Sequence, residues 1–181
     1  MTGIIEIKTA RLLLRQWKQE DFKRFAQINL DSDVMEFYPN VLSELESNVM
    51  AKKIQSLISD RGWGFWAIEV LNDYKFIGFV GLHKPQYDLP FNPCVEVGWR
   101  LAKKYWGKGY ATEAGKASLE FAFEHPKLNE VVSFASVGNR RSRAVMERLN
   151  MIDMKSNFDH PEMPDGSPLK EHVLYKITKN P

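Results

Sequence analysis

The apolar positions of this chain change period several times, and each change marks an element. Leu12, Leu13 and Leu14 open a first strand that runs through Arg15, Gln16 and Trp17. Helical spacing follows from Asp21 through Phe22, Phe25, Ala26 and Leu30, until Asp31-Ser32-Asp33 and Tyr38-Pro39-Asn40 interrupt it. Ser43 with Glu46 three residues on has the form of a capping box. Val49, Ile54, Leu57 and Ile58 carry that second helix to Arg61-Gly62, where glycine can end it. Two aromatic and β-branched runs, 63–70 and 74–82, flank a short polar turn and predict a β-hairpin. Val95, Val97, Trp99 and Leu101 then alternate with Glu96, Gly98 and Arg100, which is strand period. Ala114, Ala117, Ser118, Phe121 and Ala122 return to helical spacing, and Pro126 closes that helix. A strand over 131–137, a helical stretch from Asn139 that Asn150 can end in the left-handed conformation, a turn-rich stretch over 158–169 and a last strand over 172–177 complete the pattern. The order suits one mixed α/β domain over residues 1–181.

Composition narrows the function classes. With 181 residues and 44% hydrophobic content the chain can bury a full core. Twenty-five basic residues against 23 acidic ones leave a net charge of +2, which gives no support to general nucleic-acid binding. The apolar runs are far shorter than a membrane span. The start, Met-Thr-Gly-Ile-Ile-Glu-Ile-Lys, lacks the basic and apolar regions of a signal peptide, so a cytoplasmic location is expected. A single cysteine, Cys94, rules out an internal disulfide.

The chemistry starts at Gly107 and Gly109, which sit between the 95–101 strand and the helix after it. A helix that begins at such a turn points unpaired N–H groups and the positive end of its dipole at one spot, a place for phosphate. A Walker A loop fails, because Ala102 holds its first glycine position and Gly109 its Ser/Thr position. A dinucleotide fingerprint fails too, because Thr112 stands where the third glycine belongs.

Trp106-Gly107-Lys108-Gly109-Tyr110-Ala111 resembles the pyrophosphate loop of the GNAT N-acetyltransferases, Arg/Gln-x-x-Gly-x-Gly/Ala; Trp106 stands at the Arg/Gln position. Asn139, Ser142 and Val145 match that family's second signature, with Asn150-Met151 in place of its Gly-Phe. Thr9-Ala10-Arg11-Leu12-Leu13-Leu14-Arg15 resembles the opening of its ribosomal-protein N-acetyltransferase-like branch. The resemblance implies a central mixed, splayed β-sheet flanked by helices. It implies acetyl-CoA as cosubstrate, without a metal. The coenzyme would be held by Trp106, Gly107, Lys108, Gly109, Tyr110, Ala111 and Thr112, by the backbone at Trp99, Arg100 and Leu101, and by Asn139 and Ser142. The expected reaction is acetyl transfer to a primary amine by direct attack in a ternary complex. The acceptor would be a protein N-terminus or a small-molecule amine. Nucleic acid and membrane are not expected partners, and the resemblance leaves room for a homodimer.

Acetyl transfer also needs a base and a way for the thiol to leave. A lysine-like amine has a pKa of about 10.4 and an α-amine about 7.7–8.0, so the help required differs. Glu96 is the base candidate; an ion pair with Arg100 is its structural alternative. Many family members carry a tyrosine seven residues after the asparagine, but here that position is Met146, which cannot donate a proton. Ser142 takes its place as candidate, as acid, as a coenzyme contact or as a local cap. Met146 also motivates the alternative function, a non-catalytic coenzyme A-binding module of the same fold. Weaker candidates are Cys94 as nucleophile, His160 or His172 near the acceptor, and Arg140, Arg141 and Arg143 toward the coenzyme 3′-phosphate. Trp63 and Trp66 are read as packing residues, with acceptor lining as the other reading. The 83–93 loop could form a flap, and Gly98 could mark a bulge or a close approach.

Overall fold

The computed structural model describes residues 3–73 and 75–179. Tyr74, where the hairpin's second run was expected to begin, and Met1 and Thr2 of the N-terminal stretch lie outside the described residues. The elements are β1 (Ile7–Lys8), β2 (Leu12–Arg15), α1 (Asp21–Leu30), α2 (Glu44–Arg61), β3 (Phe65–Val70), β4 (Lys75–His83), β5 (Glu96–Leu101), α3 (Tyr110–Glu124), β6 (Glu130–Ser136), α4 (Arg140–Arg148), β7 (Ile152–Asp153), β8 (Phe158–Asp159) and β9 (Glu171–Thr178). They build one sheet in the order β1-β2-β3-β4-β5-β6-β9-β7, with β8 also on β9. Every described pair is antiparallel except β5–β6. The sheet is therefore mixed, as expected. Among the described residues, no helix is long and apolar enough to cross a membrane.

Alternation along β3 assigns the two faces. Phe65 stacks with Phe79, which meets Phe25 of α1. Its neighbour Trp66 turns to the other face, against Phe121 of α3. Trp66 is thus fully buried core, not acceptor lining, and its indole N–H donates to the Ile5 carbonyl. α2 forms as its sequence directs: Ser43 and Glu46 make both capping-box bonds, and Gly62 ends the helix at φ 82°. Arg15 pins α1 to the sheet. Its guanidinium donates to Asp21 at 2.7 and 2.9 Å and to Glu69 at 2.7 Å, all three side chains being buried.

Several expectations needed correction. The first strand ends at Arg15, leaving Gln16 and Trp17 beyond it. The helix after Asn139 stops at Arg148, and Asn150 just beyond it takes φ 59°, the left-handed conformation expected of it at the helix end. The bulge lies in β4, not at Gly98: the register slips between Ile68↔Gly78 and Glu69↔Phe76. Gly78, at φ 135°, lies so close to β5 that a Cβ there would stand 2.1 Å from the Arg100 carbonyl. Gly98 has a different reason to be small. A Cβ there would stand 3.2 Å from the Phe65 ring.

The functional feature of the sheet is where β5 and β6 part. They share one register pair, Glu96↔Val132. The Val132 N–H donates to the Val95 carbonyl at 2.9 Å, and Ser133 Oγ donates to the Val97 carbonyl at 2.9 Å. Beyond these bonds the strands diverge. Residues 96, 98 and 100 pair with His83, Gly81 and Phe79 of β4, and the Ala102 N–H reaches the Ile77 carbonyl. The backbone groups of Trp99 and Leu101 therefore face the opening.

Candidate active site

Each strand bordering the opening leads into a helix N-terminus. β5 runs through a 3-10 turn, Lys103–Tyr105, to the glycines and α3. Gly107 and Gly109 have φ of 71° and 78°, so both occupy the left-handed region that glycine tolerates. No side chain caps α3, and its first backbone bond is from the Glu113 N–H to the Gly109 carbonyl. The amides of Tyr110, Ala111 and Thr112 are left for a ligand. β6 leads to Asn139, whose side-chain oxygen accepts from the Ser142 N–H at 3.0 Å and caps α4.

Between these two helix starts lies a cavity of about 550 Å³. It gathers Trp99, Arg100, Leu101, Trp106, Gly107, Gly109, Tyr110, Ala111, Thr112, Asn139 and Ser142. Two predicted residues do not line it. Lys108 gives its carbonyl to Arg11 at 2.9 Å and holds its ammonium over the Tyr105 ring. Glu96 sits at the closed end of the splay, outside the cavity wall. Arg100 also differs from expectation. Its backbone pairs toward Phe79 of β4, so it meets the cavity as a side chain and not as a backbone partner in the gap.

Trp106 has its own role at the Arg/Gln position. Its indole N–H donates to the Leu101 carbonyl at 2.8 Å, closing the end of β5, and Arg141 stacks on its ring at 4.7 Å. Of Arg140, Arg141 and Arg143 in the first turn of α4, Arg141 reaches the cavity; Arg140 is exposed, and Arg143 lies toward Asp153. Val34, Phe37 and Tyr38 also line it and carried no sequence cue, because the 31–43 segment folds over from α1; Arg148 joins them from the last turn of α4.

A clamp from the N-terminal ribbon holds the glycine turn. Glu113 in the first turn of α3 accepts from Thr9 Oγ1 at 2.6 Å, from the Arg11 N–H at 2.9 Å and from Arg11 Nε at 2.6 Å. These bonds outweigh burial and keep its carboxyl below the usual range. Arg11 also lies over the Tyr110 ring at 4.7 Å.

Electrostatics separate the candidates. Burial pushes Glu96 up to about 8. No ion pair or hydrogen bond links it to Arg100 among the described residues, so the pairing expected as its alternative is not formed. Opposite Glu96 in β4 stands His83, stacked on Phe65 at 5.2 Å and lowered to about 4 by burial, with Arg61 and Lys53 adding to the effect. His83 escaped sequence reasoning because only the register pairs it with Glu96. Burial raises the Cys94 thiol to about 11, which makes it a poor nucleophile. His160 and His172 lie in an aromatic cluster with Phe134 and Phe158, their rings 4.7 Å apart. Tyr87, from the 83–93 loop, approaches His160 Nε2 at 3.3 Å. Met146 is 1% exposed and belongs to the core.

The Acetyltransferase (GNAT) domain model matches residues 11–152. The chain belongs to the GNAT family. It is a GNAT acyltransferase, and both glycine turn and splay fall within the matched region. FsC-acetyl coenzyme A-N(2)-transacetylase of Aspergillus fumigatus is 33% identical over 180 residues, covering 96% of this chain and 76% of that protein. The crystal structure of a GNAT-family acetyltransferase from Bacillus anthracis superposes with a TM-score of 0.79 at 26% identity, over 96% of this chain and 98% of that one. The ribosomal-protein-S5-alanine acetyltransferase of Vibrio fischeri shares the fold, with a TM-score of 0.75 at 17% identity over 96% of each chain.

Proposed function

We propose that this protein, as a single domain, transfers the acetyl group of acetyl-CoA to a primary amine by direct attack within a ternary complex. The observation that carries the reading is the one-ended splay of β5 and β6, its open end flanked by two helix N-termini. The amides at the start of α3 would hold the pyrophosphate, and Trp99 and Leu101 would pair with the pantetheine arm. A Trp99 or Leu101 N–H facing the gap would meet the oxyanion; such a donor is typically worth about 2.7–4 kcal/mol. Glu96, ionised, takes the proton from the amine as nitrogen attacks the thioester carbon. The C–S bond then breaks and the electron pair leaves on sulfur. Ser142, half-buried on the cavity wall, is the hydroxyl of α4 available to hydrogen-bond that sulfur. A thiol pKa near 8.5 makes departure feasible without a dedicated acid. The named Aspergillus relative supports the acetyl coenzyme A assignment.

Calorimetric titration with acetyl-CoA tests the first half. A screen for thiol release across N-terminal peptides, polyamines, amino acids and aminoglycosides tests the second. Protein that fails to bind acetyl-CoA would sink the reading. Met146, buried where a proton-donating tyrosine would stand, favours a second reading as a coenzyme A-binding module. Tight acetyl-CoA binding with no thiol release from any amine would select it.

A further inference from the structure

Two arginines are buried among the described residues, and they are treated in opposite ways. Arg15 is 3% exposed and surrounded by Asp21 and Glu69, so its charge is balanced. Arg100 is 7% exposed, and no carboxylate pairs with it among the described residues. Its Nη1 donates to the Asn29 side-chain oxygen at 2.7 Å and lies 3.7 Å from Met50 Sδ. Its Nε is buried without a partner. Nη2 has no protein partner among the described residues. The Tyr38 ring at 4.2 Å and the Phe79 ring at 5.6 Å stack on the guanidinium. Such stacking attracts the cation but gives its N–H groups no acceptor. A buried charge left in this state is costly unless a ligand completes it.

The side chain borders the cavity beside Tyr38. It shares a sheet face with Glu96, four strand residues away, which is about 13 Å between Cα atoms. Gly98 stands between them with the Phe65 ring over it, an apolar floor. Resting on the proposed role of Glu96 as base toward the amine, we propose that Arg100 receives a carboxylate carried by the acceptor itself. The substrate class is then an amine with an acid group several bonds away. An ω-amino acid or a peptide N-terminus followed by an acidic residue would both supply it. The fixed fork of a guanidinium suits a carboxylate bidentately.

The test compares matched acceptors that differ only in that group: 6-aminohexanoate against 6-aminohexanamide, and Ala-Glu amide against Ala-Gln amide. Thiol release gives kcat/KM for each, and calorimetry gives their affinity for protein saturated with coenzyme A. The carboxylate member of at least one pair is expected to win by roughly ten- to hundredfold, the worth of a charged hydrogen bond. Preference within the first pair marks a small-molecule acid; preference within the second marks a peptide. Arg100→Gln should erase the preference. Asn29→Asp keeps the arginine but sets an internal carboxylate beside Nη1, and should erase it too. Acetyl-CoA affinity should be unchanged in Asn29→Asp, whose side chain does not line the cavity. Equal use and equal binding of both members by the unmodified protein overturns the proposal. So does a loss of acetyl-CoA affinity in both variants with the preference intact. Carboxylate binding that needs Arg100, without turnover of any amine, upholds the anion site while refuting the transfer reaction.

Discussion

Glu96→Gln separates the proposed base from a merely structural carboxyl. The structure puts the Glu96 pKa at about 8, through burial without a cationic partner. The ionised fraction is then about 1% at pH 6, about 9% at pH 7 and half at pH 8. A base that must be ionised gains almost tenfold per pH unit below 7 and levels off above about 9. The amine titrates in the same range, so the informative quantity is the ratio of kcat for the unmodified protein to that of Glu96→Gln. Ionisation of a shared acceptor cancels in that ratio. It should be about 10²–10⁴ at its plateau, the usual worth of general base catalysis, and fall about tenfold from pH 7 to pH 6. A ratio of one, or a ratio independent of pH, would refute the assignment. Stability gives a second measurement. The folded pKa lies above the unfolded value of about 4.3, so the contribution is full below that value and is lost as pH rises toward about 8. The loss can reach about 1.4 kcal/mol per pH unit, less for a half-buried group. Glu96→Gln escapes this loss, so its melting temperature should gain on the unmodified protein between pH 5 and pH 9.

Other perturbations test the scaffold. Glu113→Ala removes the clamp on the glycine turn; because Arg11 is half exposed, the cost should be about 1 kcal/mol, read as a roughly fivefold weaker acetyl-CoA titration. Gly109→Ala forces a side chain into φ 78° with its Cβ 3.4 Å from Arg11 Nη2, and should cost about 1–2 kcal/mol in urea unfolding. Arg15→Met strands two buried carboxylates and should cost about 3–5 kcal/mol by the same assay.

Local signals were legible where local chemistry decides the outcome. Ser43, Glu46 and Gly62 define α2 through bonds within a few residues of each other. The glycine turn was readable for the same reason: its function depends on backbone conformation at Gly107 and Gly109. β1, β7 and β8 have two residues each, too few for a period to emerge. Residues joined only by tertiary structure were invisible. The Arg100–Asn29 bond spans 71 positions, and neither residue's neighbours announce it. Glu96 looked like half of an ion pair because Arg100 is four residues away in a strand; the guanidinium turns instead to α1 and Tyr38.

The single β5–β6 pair makes the sheet two plates joined at a corner. One plate carries β1 to β5; the other is β6 held through seven register pairs to β9. Any change in the angle between them pivots about Glu96 and Val132. Displacement about a pivot grows with distance from it. Leu101 and Ser136, at the far ends, would travel most, and Glu96 least. Any widening of the splay would therefore be felt most at the glycine-turn end and least by the carboxylate at the corner.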